Sequence, residues 1–162
     1  MSRQPNACAG FTLLELMVVL AIVGVLIATV QLNLFRDPRQ RLYAEGERLA
    51  AVLAAAGDEA VLSGRPMAVR FAPDGYTLWQ RTADGAWERA QDVVYRPRAL
   101  PAEVRIERVT ADARRLPPGE PLVFAASGLR PVFEVRLALD DLRLSVLGDA
   151  LGSIRVVEEG GR

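Results

Sequence analysis

The chain of 162 residues carries 20 basic and 20 acidic side chains, so its formal net charge is zero. A neutral chain of this length has room for one modest domain with an appendage, and its charge argues against a protein that coats nucleic acid. It contains no histidine and a single cysteine, Cys8. This composition excludes Ser-His-Asp and Cys-His catalysis, a metal site built from imidazole and an internal disulfide. We therefore expect no cofactor, no metal and no enzymatic activity.

An apolar run covers residues 11–30 and is interrupted only by two threonines, one glycine and Glu15. Twenty residues of helix rise about 30 Å, which matches the hydrocarbon core of a bilayer. The segment before the run contains one basic residue, Arg3, and no acidic residue. The sequence therefore predicts a single transmembrane helix over 11–30, with the N-terminus in the cytoplasm and the rest of the chain across the membrane.

Glu15 is the unusual residue of this run, because an ionisable group in hydrocarbon is costly and points to a function. A signal peptide removed after the run would need small residues around its cleavage site, and residues 27–31 fit that requirement poorly. A plain membrane anchor explains the length of the run but not Glu15. A third interpretation is a leader that is cut before the run, so that the apolar helix stays on the mature protein.

The stretch GFTLLELMVVLAIVGVLIA, residues 10–28, closely resembles the signature of type IV pilins and type II secretion pseudopilins. The resemblance implies that residues 1–10 are a leader, which a prepilin peptidase in the membrane removes by cleaving between Gly10 and Phe11. It implies that Phe11 is then N-methylated. It also implies an assembly role for Glu15, since a glutamate at this place is the hallmark of the family.

Elementary helix geometry agrees with an assembly role for Glu15. Cleavage after Gly10 leaves a cationic amine on Phe11, and Phe11 and Glu15 lie four residues apart on one helix face. A carboxylate in apolar surroundings is tolerated when it pairs with a cation. In a bundle of such helices, Glu15 of one subunit can meet the Phe11 amine of its neighbour and fix their axial register. The alternative is a carboxylate that extends to the membrane surface, because Glu15 lies near the start of the run.

A helical segment is predicted over 31–64, where the chain leaves the membrane. Pro38 predicts a kink or short break near Asp37. Beyond it, apolar residues recur at helical spacing and charged residues occupy the other positions. The recurring apolar residues are Leu42, Leu49, Leu53, Ala56 and Ala60. We expect this amphipathic helix to pack on the soluble domain and to end near Ser63, with Gly64 in the left-handed cap conformation.

The remaining residues, 65–162, have the pattern of a β domain. Apolar and polar residues alternate in short runs between turn residues, and Asp84-Gly85 is a strong hairpin signal. The predicted strands are Met67–Phe71, Tyr76–Thr82, Ala86–Gln91, Glu103–Thr110, Leu122–Ala125, Val132–Leu139, Leu142–Leu147 and Ser153–Val157. Loops are predicted over 96–101 and 111–121. The predicted fold class is α+β: a long N-terminal helix, membrane-spanning in its first half and amphipathic in its second, packed on an antiparallel β-sandwich of about seven or eight short strands.

The C-terminal half resembles one group within this family, the H-type minor pseudopilins and their minor-pilin relatives (the GspH/FimT group). The similarity lies in the strand LVFAASG, an Arg-Pro pair and the segment LRLSVLGDALGSIRV. Recurrent framework positions of the group are matched by Phe124, Gly128, Gly148 and Gly152. The resemblance implies a structural minor pseudopilin of the type II secretion pseudopilus, which supports export of folded proteins through the outer membrane. It would be anchored in the inner membrane of a Gram-negative bacterium, with its C-terminal domain in the periplasm.

The same resemblance implies several partners. The protein would link the I-, J- and K-type tip subunits to the major G-type subunit, and it would meet the prepilin peptidase and the inner-membrane assembly platform. The alternative is a minor pilin of a type IV pilus, a class that includes DNA-uptake proteins with a disulfide or a basic C-terminal tail. Beyond the leader this chain has no cysteine, and residues 155–162 balance two arginines with two glutamates. Neither feature favours nucleic acid as a partner.

Three further groups of residues each have a structural and a functional interpretation. Six arginines can gather into a DNA-binding surface, although solvated strand faces and loops explain them better: Arg96, Arg98, Arg105, Arg108, Arg114 and Arg115. Three late acids suit turns better than a calcium site, which needs six to eight oxygens: Asp140, Asp141 and Asp149. Three aromatic residues are interface anchors or pack on the sheet, and we expect at least one of the two tryptophans to pack on the sheet: Trp79, Trp87 and Tyr95.

Overall fold

The computed structural model describes residues 13–34, 37–90 and 95–159, and the chain divides into two units, Met1–Asp37 and Pro38–Arg162. The described residues of the first unit include the helix α1, Leu13–Leu34. All of its described side chains, from Leu13 to Val25, are exposed. Within the described ranges, none of the helices has the length and hydropathy needed to cross a membrane. The transmembrane helix over 11–30 therefore stays a prediction, and its first two residues lie outside the described ranges.

The second unit opens with α2, Pro38–Ser63. Asp37 belongs to neither helix, so the predicted break near this residue is confirmed and the predicted long helix is observed as two helices. Proline suits the first helical position because its missing N–H would have no partner there, and aspartate suits the position just before. At the other end, Ser63 Oγ donates to the carbonyl of Glu59 over 2.7 Å. Gly64 follows with a φ of 66°, as predicted for the cap.

Within the described residues after α2, ten strands form two antiparallel sheets. In chain order they are β1 Met67–Ala72, β2 Gly75–Arg81, β3 Trp87–Arg89, β4 Arg98–Ala99, β5 Val104–Ala111, β6 Arg114–Arg115, β7 Leu122–Phe124, β8 Phe133–Leu139, β9 Leu142–Gly148 and β10 Ile154–Glu159. The first sheet has the order β3-β2-β1-β7, and β4 also pairs with β2. The second sheet has the order β10-β9-β8-β5-β6. The α+β class and the antiparallel sheets agree with the prediction.

The predicted number of strands is wrong, because two-residue strands lie in both segments predicted as loops. β4 falls within 96–101, and β6 falls within 111–121. β6 returns along β5 through Asp112 and Ala113, whose φ angles are 48° and 63°. Strands this short have no periodicity, and an Asp-Ala turn lacks the glycine that marks a two-residue hairpin in sequence. The strand predicted over Ala86–Gln91 is also shorter, and Gln91 lies outside the described residues.

One hydrophobic core joins α2 to both sheets. The five apolar residues of α2 predicted from helical spacing are all buried, at 0–2 % exposure. The first sheet adds Val69 and Leu78, and the second adds Val135 and Leu137, all with no exposed surface. Each such side chain contributes about 1.5–3 kcal/mol through burial. Because α2 contacts strands of both sheets, it ties their inner faces together.

An aromatic contact also joins the two sheets inside this core. Phe124 of β7 and Phe133 of β8 meet edge to face, with their ring centroids 6.1 Å apart. Phe133 lies opposite Gly148 of β9 and fills the space that a Cβ at Gly148 would need. This packing supplies a structural reason for two of the framework residues, Phe124 and Gly148.

Candidate assembly site

Glu15 lies in the first turn of α1, which begins at Leu13. A carboxylate in this position is stabilised by the partial positive charge of the helix N-terminus. Every other residue from Leu13 to Val25 is apolar. The adjacent Leu14 and Leu16 are 72 % and 57 % exposed. The described part of α1 is therefore apolar on every side, and Glu15 is its one charged residue.

The other residues of the predicted processing and assembly site are not reached by the structure. Gly10 and Phe11 lie outside the described residues. The cleavage between them, the methylation of Phe11 and its pairing with Glu15 therefore stay predictions. What the structure adds is the helical state of the segment that begins at Leu13, which the spacing argument for Glu15 requires.

A polar cluster that sequence reasoning missed lies on the outer face of the second sheet. Arg136 Nη2 lies 2.6 Å from Glu159 Oε1 and 3.2 Å from Glu134 Oε1. Ser145 is buried, and its Oγ lies 2.7 Å from Glu134 Oε1 and 2.9 Å from Glu159 Oε1. Arg143 extends the cluster to Glu107 of β5 at 3.1 Å. The cluster joins two arginines to three glutamates and links β5, β8, β9 and β10. Its only sequence signal is the outward position of these residues in alternating strands.

The six arginines considered for DNA binding do not form one cluster. Arg98 belongs to the first sheet and pairs with Glu45 of α2 at 2.9 Å. Arg105 and Arg114 belong to the second sheet and pair with their own acidic neighbours, Glu107 and Glu120. Carboxylates thus neutralise three of the six, which agrees with the interpretation as solvated strand faces and loops.

The Arg98–Glu45 pair fastens α2 to the edge of the first sheet. Glu45 is the more enclosed partner, with 14 % of its side chain exposed against 31 % for Arg98. Tyr76 lies opposite Arg98 in the β2–β4 pairing. Burial raises the pKa of the Tyr76 hydroxyl, and the nearby Arg98 charge opposes that increase.

The late acids occupy turns, as the sequence favours. Asp140 and Asp141 connect β8 to β9, with Asp140 at a φ of 49°. Asp149 Oδ1 accepts the backbone N–H groups of Leu151 and Ser153 at 2.9 and 3.0 Å. Across the described ranges, no three His, Cys, Asp or Glu side chains are grouped to hold a metal ion.

The three aromatic candidates have different environments. The Tyr95 hydroxyl donates to the carbonyl of Ala55 over 3.4 Å, and the ring packs against the core. Trp79 is partly buried on the outer face of the first sheet, which fulfils the expectation that at least one tryptophan packs on the sheet. Trp87 is 38 % exposed.

Two family models match this chain in separate segments. Residues 5–30 match the prokaryotic N-terminal methylation motif. The matched segment includes Gly10, Phe11 and Glu15. Residues 45–154, more than half of the chain, match the family described as type II transport protein GspH. The chain belongs to the GspH family. The resemblance drawn from the N-terminal signature and the C-terminal half is thereby confirmed.

Individual relatives agree with this membership. Type II secretion system protein H of Pseudomonas aeruginosa is 35 % identical over 133 residues, covering 75 % of this chain and 66 % of that protein. The match thus spans slightly less than two thirds of the length of that relative. Two solved structures of the minor pseudopilin EpsH from the type II secretion system of Vibrio cholerae have the same fold. Their TM-scores are 0.65 and 0.59, and their sequences are 19 % and 21 % identical to this chain. The matches cover 78 % and 75 % of this chain and 99 % of each EpsH chain.

Proposed function

We propose that this protein is a structural, non-catalytic minor pseudopilin of a type II secretion pseudopilus. The observation that carries the proposal is the presence of a GspH-family domain over 45–154 together with an N-terminal methylation motif over 5–30. The 35 % identity to a type II secretion system protein H supports the same role. In this role the protein acts through the surfaces that it presents to neighbouring subunits, and export of folded proteins through the outer membrane depends on their assembly.

The N-terminal segment is proposed to be both membrane anchor and assembly element. A prepilin peptidase cleaves between Gly10 and Phe11, and Phe11 is methylated. The segment 11–30 then crosses the inner membrane of a Gram-negative cell and leaves the unit beginning at Pro38 in the periplasm. The exposure of every described side chain from Leu13 to Val25 supports this, because lipid or neighbouring helices would cover that apolar surface.

Glu15 is proposed to set the axial position of the subunit in the pseudopilus. Its carboxylate would pair with the Phe11 amine of an adjacent subunit, which offsets the cost of placing a charge in apolar surroundings. The folded unit would then contact the I-, J- and K-type tip subunits on one side and the major G-type subunit on the other. The inner-membrane assembly platform is the proposed site of insertion.

The proposal is tested with the unit Pro38–Arg162, which contains every described buried hydrophobic residue and is therefore expected to fold alone. The tagged unit is mixed with purified soluble domains of I-, J- and K-type pseudopilins, and the bound fraction is measured. A parallel arm measures binding to duplex DNA at low and high salt, because phosphate contacts weaken steeply as salt rises.

Binding to the tip subunits without a DNA shift is the expected result. Salt-sensitive DNA binding without tip binding would instead assign the protein to a type IV pilus or DNA-uptake system. That outcome would contradict the secretion role and leave the family membership unchanged.

A further inference from the structure

The outer face of the first sheet carries cations and tryptophans. Strand alternation places Arg70 of β1, Trp79 and Arg81 of β2, and Trp87 and Arg89 of β3 on this face. We call these five residues the Trp-Arg patch. Glu88 lies between the two patch residues of β3 and therefore faces the opposite side. No acidic side chain occurs at an outward position of the strands described in this sheet.

Trp79 is fixed at the centre of the Trp-Arg patch. Its indole N–H donates to Thr77 Oγ1 over 3.1 Å, which holds the ring on the sheet surface. The guanidinium carbon of Arg70 lies 4.9 Å from the ring centroid of Trp79, and that of Arg89 lies 5.6 Å from it. Both distances are in the range of cation–π interactions. The ring therefore holds two guanidinium groups that come from the two neighbouring strands.

The arginines of this face differ in their ion pairing from those of the second sheet. On the second sheet Arg105, Arg136 and Arg143 each form an ion pair with a glutamate. In the part of the chain that the structure describes, the arginines of the Trp-Arg patch form no ion pair with a carboxylate. The positive charges of these arginines lie close together and repel one another. An anion from outside the folded unit would offset this repulsion, so the patch attracts anions.

We propose that the Trp-Arg patch is a docking surface for an acidic segment of a partner protein. Arginine binds carboxylates through paired N–H groups, and tryptophan and arginine dominate the energetics of protein interfaces. Trp87, with 38 % of its surface exposed, supplies an apolar anchor beside the cations. Because Trp79 already holds Arg70 and Arg89, these side chains lose little freedom on binding. The proposal stands independently of the secretion role.

Two observations favour an acidic protein segment over nucleic acid. The ring of Trp79 is occupied by guanidinium groups, which leaves Trp87 as the single tryptophan on which a base can stack. The patch offers three cations on a chain of zero net charge, whereas strong nucleic-acid binders neutralise about 6–10 phosphates. A short carboxylate-bearing segment matches this small group of charges better.

Intrinsic fluorescence tests the proposal directly, because both tryptophans of the chain belong to the patch. The full chain in micelles of a neutral detergent is titrated with a peptide of alternating Glu and Ser, and with the same peptide carrying Gln in place of Glu. We expect a saturable fluorescence change with the Glu peptide alone, weakened by salt. The variants Arg70→Gln and Arg89→Gln are each expected to bind about tenfold more weakly.

Arg155→Gln is the matched control, because Arg155 is an exposed arginine on the other sheet, in β10. This variant should keep the affinity of the unchanged protein, and circular dichroism checks that all variants are folded. Equal binding of the Glu and Gln peptides, or equal loss in Arg155→Gln, would overturn the proposal. Tighter, patch-dependent binding of single-stranded DNA or of phosphatidylglycerol vesicles would overturn it as well.

Discussion

Replacing Gly148 with alanine tests the aromatic packing that joins the two sheets. Gly148 does not have a positive φ, so its backbone accepts alanine and the effect of the change is steric. A Cβ at this position would lie 2.1 Å from Cε1 and 2.4 Å from Cζ of Phe133. Ordinary carbon–carbon contacts are about 3.5–4.0 Å, so the ring must retreat by about an ångström or more.

That retreat is costly because the Phe133 ring has little free space. Phe133 is 5 % exposed, and its ring meets Phe124 of the other sheet edge to face. Overpacking of this kind costs about 1–3 kcal/mol, and alanine recovers about 0.5–1 kcal/mol of the conformational cost of glycine in a strand. We expect Gly148→Ala to lower the free energy of unfolding by about 1–2 kcal/mol. For a domain of this size the melting temperature should fall by about 4–8 °C.

The assay is thermal and urea unfolding of the unit Pro38–Arg162, followed by tryptophan fluorescence. A double-mutant cycle with Phe133→Leu identifies the cause, because the smaller side chain leaves space for the new methyl group. The double variant should therefore be more stable than the sum of the two single changes predicts, by about 1 kcal/mol. Additive effects, or an unchanged melting temperature in Gly148→Ala, would refute the steric argument.

Three further predictions follow from other parts of the molecule. Leu53→Ala should cost about 2–5 kcal/mol in urea unfolding because Leu53 is fully buried, whereas the control Leu62→Ala should change stability by less than about 0.5 kcal/mol because Leu62 is 82 % exposed. Glu15→Ala should leave cleavage intact by mass spectrometry but reduce incorporation into the pseudopilus, and normal secretion by this variant would contradict the assembly role. The hydrogen bond from Arg114 lowers the pKa of Glu120. The pair therefore stabilises the fold at pH values above the ordinary carboxyl pKa, and this stabilisation is lost as the pH falls through the lowered pKa of Glu120. NMR titration should show the Glu120 pKa returning towards its ordinary value in Arg114→Gln, and an unchanged titration would exclude this pair as the cause.

Sequence reasoning succeeded where a local pattern determines the structure. The helical spacing of Leu42, Leu49 and Leu53 identified the buried face of α2, because residues at that spacing share one side of a helix. Asp84-Gly85 marked the β2–β3 turn, where Gly85 has a φ of 87°. The assembly role that the N-terminal signature predicts for Glu15 stays a prediction; the structure shows only that Glu15 lies in a helix whose described apolar side chains are exposed.

Sequence reasoning failed where the structure depends on pairing between distant segments. β4 and β6 are two residues long and gain their order from β2 and β5, so their own sequences carry no strand signal. The polar cluster around Ser145 depends on the register of β8, β9 and β10, which alternation within each strand does not determine. The contact of Arg70 and Arg89 with Trp79 likewise needs the order β3-β2-β1. In each case the missing information is which strands are neighbours.

The alternation that builds the core also determines where the Trp-Arg patch lies. In β2, Leu78 points inward with no exposed surface, and Trp79 points outward. A shift of one residue in this strand would exchange the two and place an indole in the core, so the position of the patch is fixed by the same register as the fold. The identity of its residues is not fixed in this way, because outward positions contribute little to core packing. Arg70→Gln should therefore leave the melting temperature nearly unchanged, and a large decrease would mean that the cation–π contacts serve the stability of the sheet rather than binding.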